Sequence, residues 1–263
     1  ITNTGDTIVT GNLVQGGNTG NLNLITGLAD LTFNMKGMDV SGNFTAADGY
    51  VQYNADQNFK IDGDVIINNP AVANFYTENG NIAMGDVTNN GSMYLYAESM
   101  DLGDVINGSN GSIYFETNGG IVNIDSLTIN SGEVVLFGNE GDLISSGAIN
   151  VTGGIFHNSG LTRLGGDLVI HNENQTITAS TIDAALIDQA WNRLVLNTDD
   201  LNITGNIFGT NLRIAPRNDT NWLNVAVGGN VSGGVQFIGV AKITVGGKYL
   251  FHDDIHMNSA IRA

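Results

Sequence analysis

FKIDGDVIINNPAVANFYTENGNIAMGDVTNNGSMYLYAESMDLGDVI, residues 59–106, sets the fold. Three times a Gly-Asp pair is followed by apolar residues: Gly63-Asp64, Gly85-Asp86 and Gly103-Asp104. Between them lie runs of three to six residues such as Val65-Ile66-Ile67 and Ser92-Met93-Tyr94-Leu95-Tyr96, bounded by turn formers, as short strands should be. Gly and Asn/Asp are the residues that turn a chain tightly, so each pair reads as a corner.

Outward from this stretch the corner recurs at Gly42-Asn43 and, less strictly, at Asp125-Ser126, Gly147-Ala148, Gly166-Asp167, Gly205-Asn206, Gly229-Asn230 and Gly247-Lys248. Gly42 to Gly247 is 205 residues; with the 39-residue gap from Gly166 to Gly205 counted as two repeats, that makes ten repeats of 20.5. Gly11-Asn12 extends the series through one enlarged coil. A period near twenty, with two or three strands in each repeat, predicts an all-β right-handed parallel β-helix (β-solenoid) of about 20 residues per coil. Ten to twelve rungs stacked at about 4.8 Å give a rod of roughly 50–60 Å. A sandwich needs longer strands, and a propeller repeat is nearer forty residues. No domain boundary is visible, so residues 1–263 read as a single solenoid segment, expected to be part of a longer fibre because neither end shows a polar cap.

One passage departs from the pattern. Ser180 or Thr181 can cap a helix in which Ile182, Leu186, Ala190 and Leu194 fall four apart, beside Ile187 and Trp191. A short helical insertion is therefore expected near 181–194, within one of the two repeats of the long gap.

Composition narrows the function. The chain has 36 Gly, 36 Asn, two Pro and no Cys, and 41% of its residues are hydrophobic. Proline cannot donate to a ladder, so its scarcity suits continuous strands. The formal charge is −17 with nine Lys and Arg, which opposes nucleic acid and anionic membrane surfaces as partners. No run of some 18 apolar residues exists for membrane insertion by a helix. Absence of Cys is compatible with export.

Candidate chemistry is sparse. In His252-Asp253-Asp254-Ile255-His256, an extended chain would project His252, Asp254 and His256 to one face, the one arrangement suited to a metal. Asp199-Asp200 and the Asp62/Asp64 pair could suggest Ca²⁺ or paired catalytic carboxylates, but no basic residue at a neighbouring repeat completes a site, and Asp at corners serves the turn. No phosphate loop, Gly-x-Ser-x-Gly or His-Glu-x-x-His occurs, and neither an enzymatic activity nor a cofactor is expected. Acceptor sequons for N-glycosylation stand at Asn43, Asn90, Asn107, Asn110, Asn150, Asn174, Asn202, Asn218 and Asn230. Tyr94, Tyr96 and Tyr114 occupy equivalent rung positions, either as a sugar-binding strip or as stacking ladders.

Thr178-Ala179-Ser180-Thr181-Ile182-Asp183-Ala184-Ala185-Leu186, then Val195-Leu196-Asn197-Thr198, Leu201-Asn202-Ile203-Thr204-Gly205-Asn206-Ile207 and Asn211-Leu212-Arg213-Ile214, resembles a recurring stretch of the filamentous-haemagglutinin-like exoproteins of two-partner secretion. There a short helix precedes Val-x-Leu-x-Thr and Ile-x-Val-x-Gly-x-Ile strands. Autotransporter passengers share the style. The resemblance covers about forty residues and implies a stiff adhesive segment of an extracellular filament, secreted or at the bacterial cell surface. Its partner would be a receptor or glycan on a host or neighbouring cell, and its end rungs could self-associate. The alternative, from the fold alone, is a β-helical polysaccharide-active enzyme (lyase or glycoside hydrolase).

Overall fold

A computed structural model describes residues 37–251 except 109, 131–132, 139–141, 152–154, 159–160, 172–174, 179–180, 191–192 and 219, together with the strands Thr7–Val9, Leu13–Gln15, Leu22–Ile25 and Leu31–Met35. The chain is an all-β parallel solenoid of about 20 residues per turn. One turn shows the plan. Val72–Thr77 lies on a first face, Asn81–Met84 on a second and Val87–Asn89 on a third, and Ser92–Ala97 then begins the next turn, in register with Val72–Thr77. In two successive turns the second and third strands run on as one, Ser99–Asn107 and Ile121–Ile129.

The two-residue alternation of a strand decides what is inside. Along Val72–Thr77, Ala73, Phe75 and Thr77 are buried while Val72, Asn74 and Tyr76 point outwards. The core between the faces is aromatic in the earlier turns. Tyr53 is sandwiched between Phe33 and Phe75 at centroid distances of 4.9 and 5.0 Å, and Phe44 and Phe59 meet this stack edge-on. Parallel ladders place like residues over one another, so offset stacking follows directly from register.

The corner repeat of the sequence opens the third face. Phe44, Val65, Val87, Val105, Leu127, Ile149, Leu168, Ile187, Ile207, Val231 and Tyr249 form one unbroken column of paired residues. From 44 to 249 this is 205 residues in ten steps, a mean of 20.5, the period read from the glycines. At four of the steps the residue just before the column member ties one turn to the next. Asn43 Oδ1 accepts the Asp64 N–H, Asp86 Oδ1 the Asp104 N–H, Asn206 Oδ1 the Asn230 N–H, and Asn230 Oδ1 the Lys248 N–H, at 2.7–2.9 Å. Each such side chain folds over the glycine of the following turn. A methyl group on Gly63 would stand 2.2 Å from Asn43 Oδ1, and one on Gly103 2.3 Å from Asp86 Oδ1. The Gly-Asx pair is thus one device: the acceptor of one turn requires a missing Cβ in the next.

At the corner between the third and first faces the polar device is internal. Asn89 is fully buried and donates through Nδ2 to Asn107 Oδ1 (2.9 Å), Ser112 O (3.1 Å) and Gly91 O (3.2 Å), while Asn107 Nδ2 donates to Gly111 O (2.8 Å). The amides hold the bend by donating to main-chain carbonyls around it, among them Gly91 O, which also accepts the Ser112 N–H at 2.9 Å.

The expected helix near 181–194 is absent. Residues 181–197 form the strands Thr181–Ala184, Ile187–Ala190 and Leu194–Asn197, one on each face in turn. Buried positions are Ile182, Ala184, Ile187, Gln189, Leu194 and Leu196, a period of two interrupted by the corner at Ala185-Leu186. A two-residue corner between short alternating strands shifts the phase, and the spacing then mimics a helix. The interturn bonds leave no room for one: the Ala185 N–H donates to Gly166 O, Leu186 O accepts the Leu168 N–H, and the Ile187 N–H donates to Asn206 O. The count of two repeats in the 39-residue gap holds; the conformation assigned to it does not.

Candidate functional site

The outward side of the first face carries the most distinctive surface. Its strands Leu31–Met35, Tyr50–Ala55, Val72–Thr77, Ser92–Ala97 and Ser112–Thr117 are adjacent and in register. One outward column runs Gln52, Asn74, Tyr94, Tyr114, and its neighbour runs Asn34, Asn54, Tyr76, Tyr96, Glu116. Of the three tyrosines expected at equivalent rung positions, Tyr94 and Tyr114 are equivalent while Tyr96 stands in the neighbouring column over Tyr76; all three are half-buried on the outside rather than in the core. Tyr76 and Tyr96 stack with centroids 4.6 Å apart and planes 14° from parallel, so their faces meet each other and their edges and hydroxyls meet solvent. The Tyr94 hydroxyl donates to Glu116 Oε2.

Below the tyrosines the amides bond to one another. Asn74 Nδ2 donates to Tyr50 Oη (2.8 Å), Tyr50 Oη to Gln52 Oε1 (2.8 Å), Gln52 Nε2 to Asn54 Oδ1 (2.9 Å) and Asn54 Nδ2 to Asn34 Oδ1 (2.9 Å). Partial burial pushes the Tyr94 and Tyr76 phenols up from their ordinary values; for Tyr94 the bond to Glu116 adds to this, and for Tyr76 the charge of Glu78 does. Both remain neutral donors at physiological pH. The sequence pointed to three of these tyrosines; the amide network became visible only once register set Asn34, Asn54 and Asn74 beside their partners.

A second feature lies at the corner between the second and third faces. Lys60, Asp62, Asp86, Asp101 and Asp125 surround an open groove of about 480 Å³. Lys60 Nζ is 2.8 Å from Asp62 Oδ1, and this hydrogen bond raises the ammonium pKa. That direction is opposite to what a lysine base requires. Two of the carboxylates already serve the stack: Asp86 accepts the Asp104 N–H, and Asp125 Oδ1 accepts from Ser146 Oγ at 3.2 Å.

Asp199, singled out with Asp200 as lacking a basic neighbour, does meet one from the next turn, Arg217, and anchors a surface loop. Its carboxylate accepts Arg217 N–H (3.1 Å), Arg217 Nε (2.9 Å) and Asn221 Nδ2 (2.7 Å), beside the exposed Trp222. Asp62 and Asp64 flank Gly63, Asp62 paired with Lys60 and Asp64 bonded through its N–H to Asn43. His252, Asp254 and His256 lie outside the described residues, as does Asn174; among the described residues no group of three or more His, Asp or Glu is placed to hold a metal ion.

The other sequons fall in different settings. Asn110, Asn202, Asn218 and Asn230 are exposed, Asn43, Asn90 and Asn150 are half-buried, and Asn107 is wholly buried in the internal ladder. Asn202 Nδ2 donates to Asp183 Oδ1 at 2.8 Å, and Asn218 Oδ1 accepts from Thr220 and Asn221. Comparison with protein-family models, curated proteins and solved structures finds no match to the chain.

Proposed function

We propose that this chain is a stiff, acidic rod segment of an extracellular bacterial surface filament or secreted adhesin, displaying a binding surface along its length. The observation that carries this reading is the interturn ladder. One column of residues pairs without interruption from Phe44 to Tyr249, and at four of its ten steps a corner acceptor closes over the glycine of the following turn. Such a ladder resists bending because any bend stretches hydrogen bonds on one face of every turn. The charge of −17 keeps neighbouring rods apart. The resemblance to filamentous-haemagglutinin-like exoproteins agrees, although the stretch that carries it is strand where the family pattern has a helix.

The test is location. Antibodies raised against the chain should label intact, unpermeabilised cells or their secreted fraction, and external protease should remove the label. Labelling that appears only after lysis sinks the proposal.

A second reading has one observation in its favour, the groove of Lys60, Asp62, Asp86, Asp101 and Asp125 on adjacent turns, which a β-helical polysaccharide-active enzyme would use. Release of reducing or unsaturated ends from a polysaccharide, abolished by Asp101→Asn, would establish it. Carboxylates engaged in the stack and a lysine held charged favour the rod.

A further inference from the structure

We propose that the outward first face from Tyr50 to Glu116 binds a neutral polysaccharide, lying along the rod axis; this rests on the reading of the rod as a display surface and names its ligand class. Three properties of the face point there.

Its donors are organised before any ligand arrives. The bonds linking Asn34, Gln52, Asn54, Asn74 and Tyr50 use one hydrogen of each bonded amide nitrogen, and each such nitrogen carries two. The second hydrogens of Gln52, Asn54 and Asn74 belong to side chains whose rotamers are already fixed, so binding costs less ordering entropy. Hydroxyl groups of a sugar, donor and acceptor at once, match amides that are also both.

The spacing of the face suits an extended ligand. Outward positions recur once per turn, about 4.8 Å apart, with amides on the earlier rungs and tyrosines on the later ones, so a chain lying along the rod meets a hydrogen-bonding side chain at every rung. Tyr76 and Tyr96 expose ring edges and hydroxyls rather than a flat platform, and recognition here is by hydrogen bonds beside apolar edges rather than by a ring face under each sugar.

Charge selects the ligand. Among the described outward residues of these strands none is cationic. Asp56, Glu78 and Glu98 stand exposed just past the ends of three successive strands, one per turn. A carboxylated or sulfated chain is repelled, and a neutral one is not.

The experiment is native affinity electrophoresis of the full chain in gels containing laminarin, galactomannan or arabinoxylan, with alginate as the anionic comparator. At least one neutral polymer should retard the protein while alginate does not. Asn74→Ala and Tyr96→Ala should each weaken binding about three- to tenfold, the loss of one hydrogen bond. Variants enter the comparison only with a wild-type circular dichroism melt, and Tyr96→Phe, which keeps the ring stack and removes the hydroxyl, replaces Tyr96→Ala if that variant melts early. Retardation by none of the neutral polymers, or equal retardation of wild type and variants, overturns the proposal. So does a concentration-dependent dimer in sedimentation that the same substitutions dissolve, because the face would then belong to a second copy. Labelling of intact cells is unaffected by any of these outcomes, so failure here leaves the rod standing, and intracellular labelling would fail the rod alone.

Discussion

Replacing Gly103 by alanine tests whether corner acceptor and corner glycine act as one device. The new methyl group would stand 2.3 Å from Asp86 Oδ1 and 3.0 Å from the Asp86 nitrogen, and the first distance is one that no Cβ contact tolerates. The same Oδ1 accepts the Asp104 N–H at 2.9 Å, so making room breaks that bond. A hydrogen bond to a charged acceptor contributes about 1.5–3 kcal/mol, and an exposed one sits at the low end. Gly103→Ala should therefore cost about 2 kcal/mol, or about 4–8 °C in melting temperature for a chain of this size. Asp86→Ala removes the same bond and should cost about 1–1.5 kcal/mol. In the double variant the obstructing oxygen is gone and the bond is lost only once, so the two costs should fall short of additivity by about 1 kcal/mol. Gly85→Ala is the control: its methyl would meet the main-chain oxygen of Gly63 at 2.6 Å, which no side-chain truncation relieves, and overpacking of about 3 kcal/mol should persist in every background. Circular dichroism melts of the four proteins, and of Gly85→Ala with and without Asp86→Ala, measure all of this. A double variant that melts at the sum of the single shifts refutes the coupled device.

Among the described residues the buried Tyr53 hydroxyl has no hydrogen-bond partner, so Tyr53→Phe should stabilise the fold by about 1–2 kcal/mol at neutral pH, read from urea midpoints; destabilisation would mean the hydroxyl is satisfied after all. Burial also holds the Tyr53 phenol well above its ordinary pKa, so the folded value exceeds the unfolded value of about 10. Stability is complete below about pH 10 and falls as pH rises beyond it, and Tyr53→Phe should move the alkaline unfolding midpoint upward. Asn89→Ala strips donors from Gly91 O, Ser112 O and Asn107 Oδ1 together, and should cost about 2–4 kcal/mol in the same urea assay, where a cost under about 0.5 would show that water replaces the amide. Asp199→Ala should speed proteolytic cleavage at Arg217 without shifting the global melt, since the carboxylate ties down only the loop; unchanged cleavage would show that the loop is held otherwise.

The period of the solenoid was legible because the corners impose a chemical demand that local sequence must meet. Gly63, Gly103, Gly229 and Gly247 each lie under the side-chain oxygen of the preceding turn's Asn or Asp, so glycine spacing and turn spacing are the same quantity. The strand faces were less legible, since a single sequence shows which residues alternate but not which rung each will stack upon. Gln52, Asn54, Asn74 and Asn34 look like ordinary polar strand residues until register sets Asn54 over Asn34 and Asn74 over Gln52. The helix misreading has the same origin. Ile182, Leu186, Ala190 and Leu194 satisfy a helical period locally, and nothing within residues 181–194 says that Gly166 O lies waiting for the Ala185 N–H, or the Leu168 N–H for Leu186 O. Those partners sit some twenty residues away. In a solenoid the decisive interactions are made at the distance of one period, so a window shorter than the period measures propensity alone, and propensity gives way to the stack.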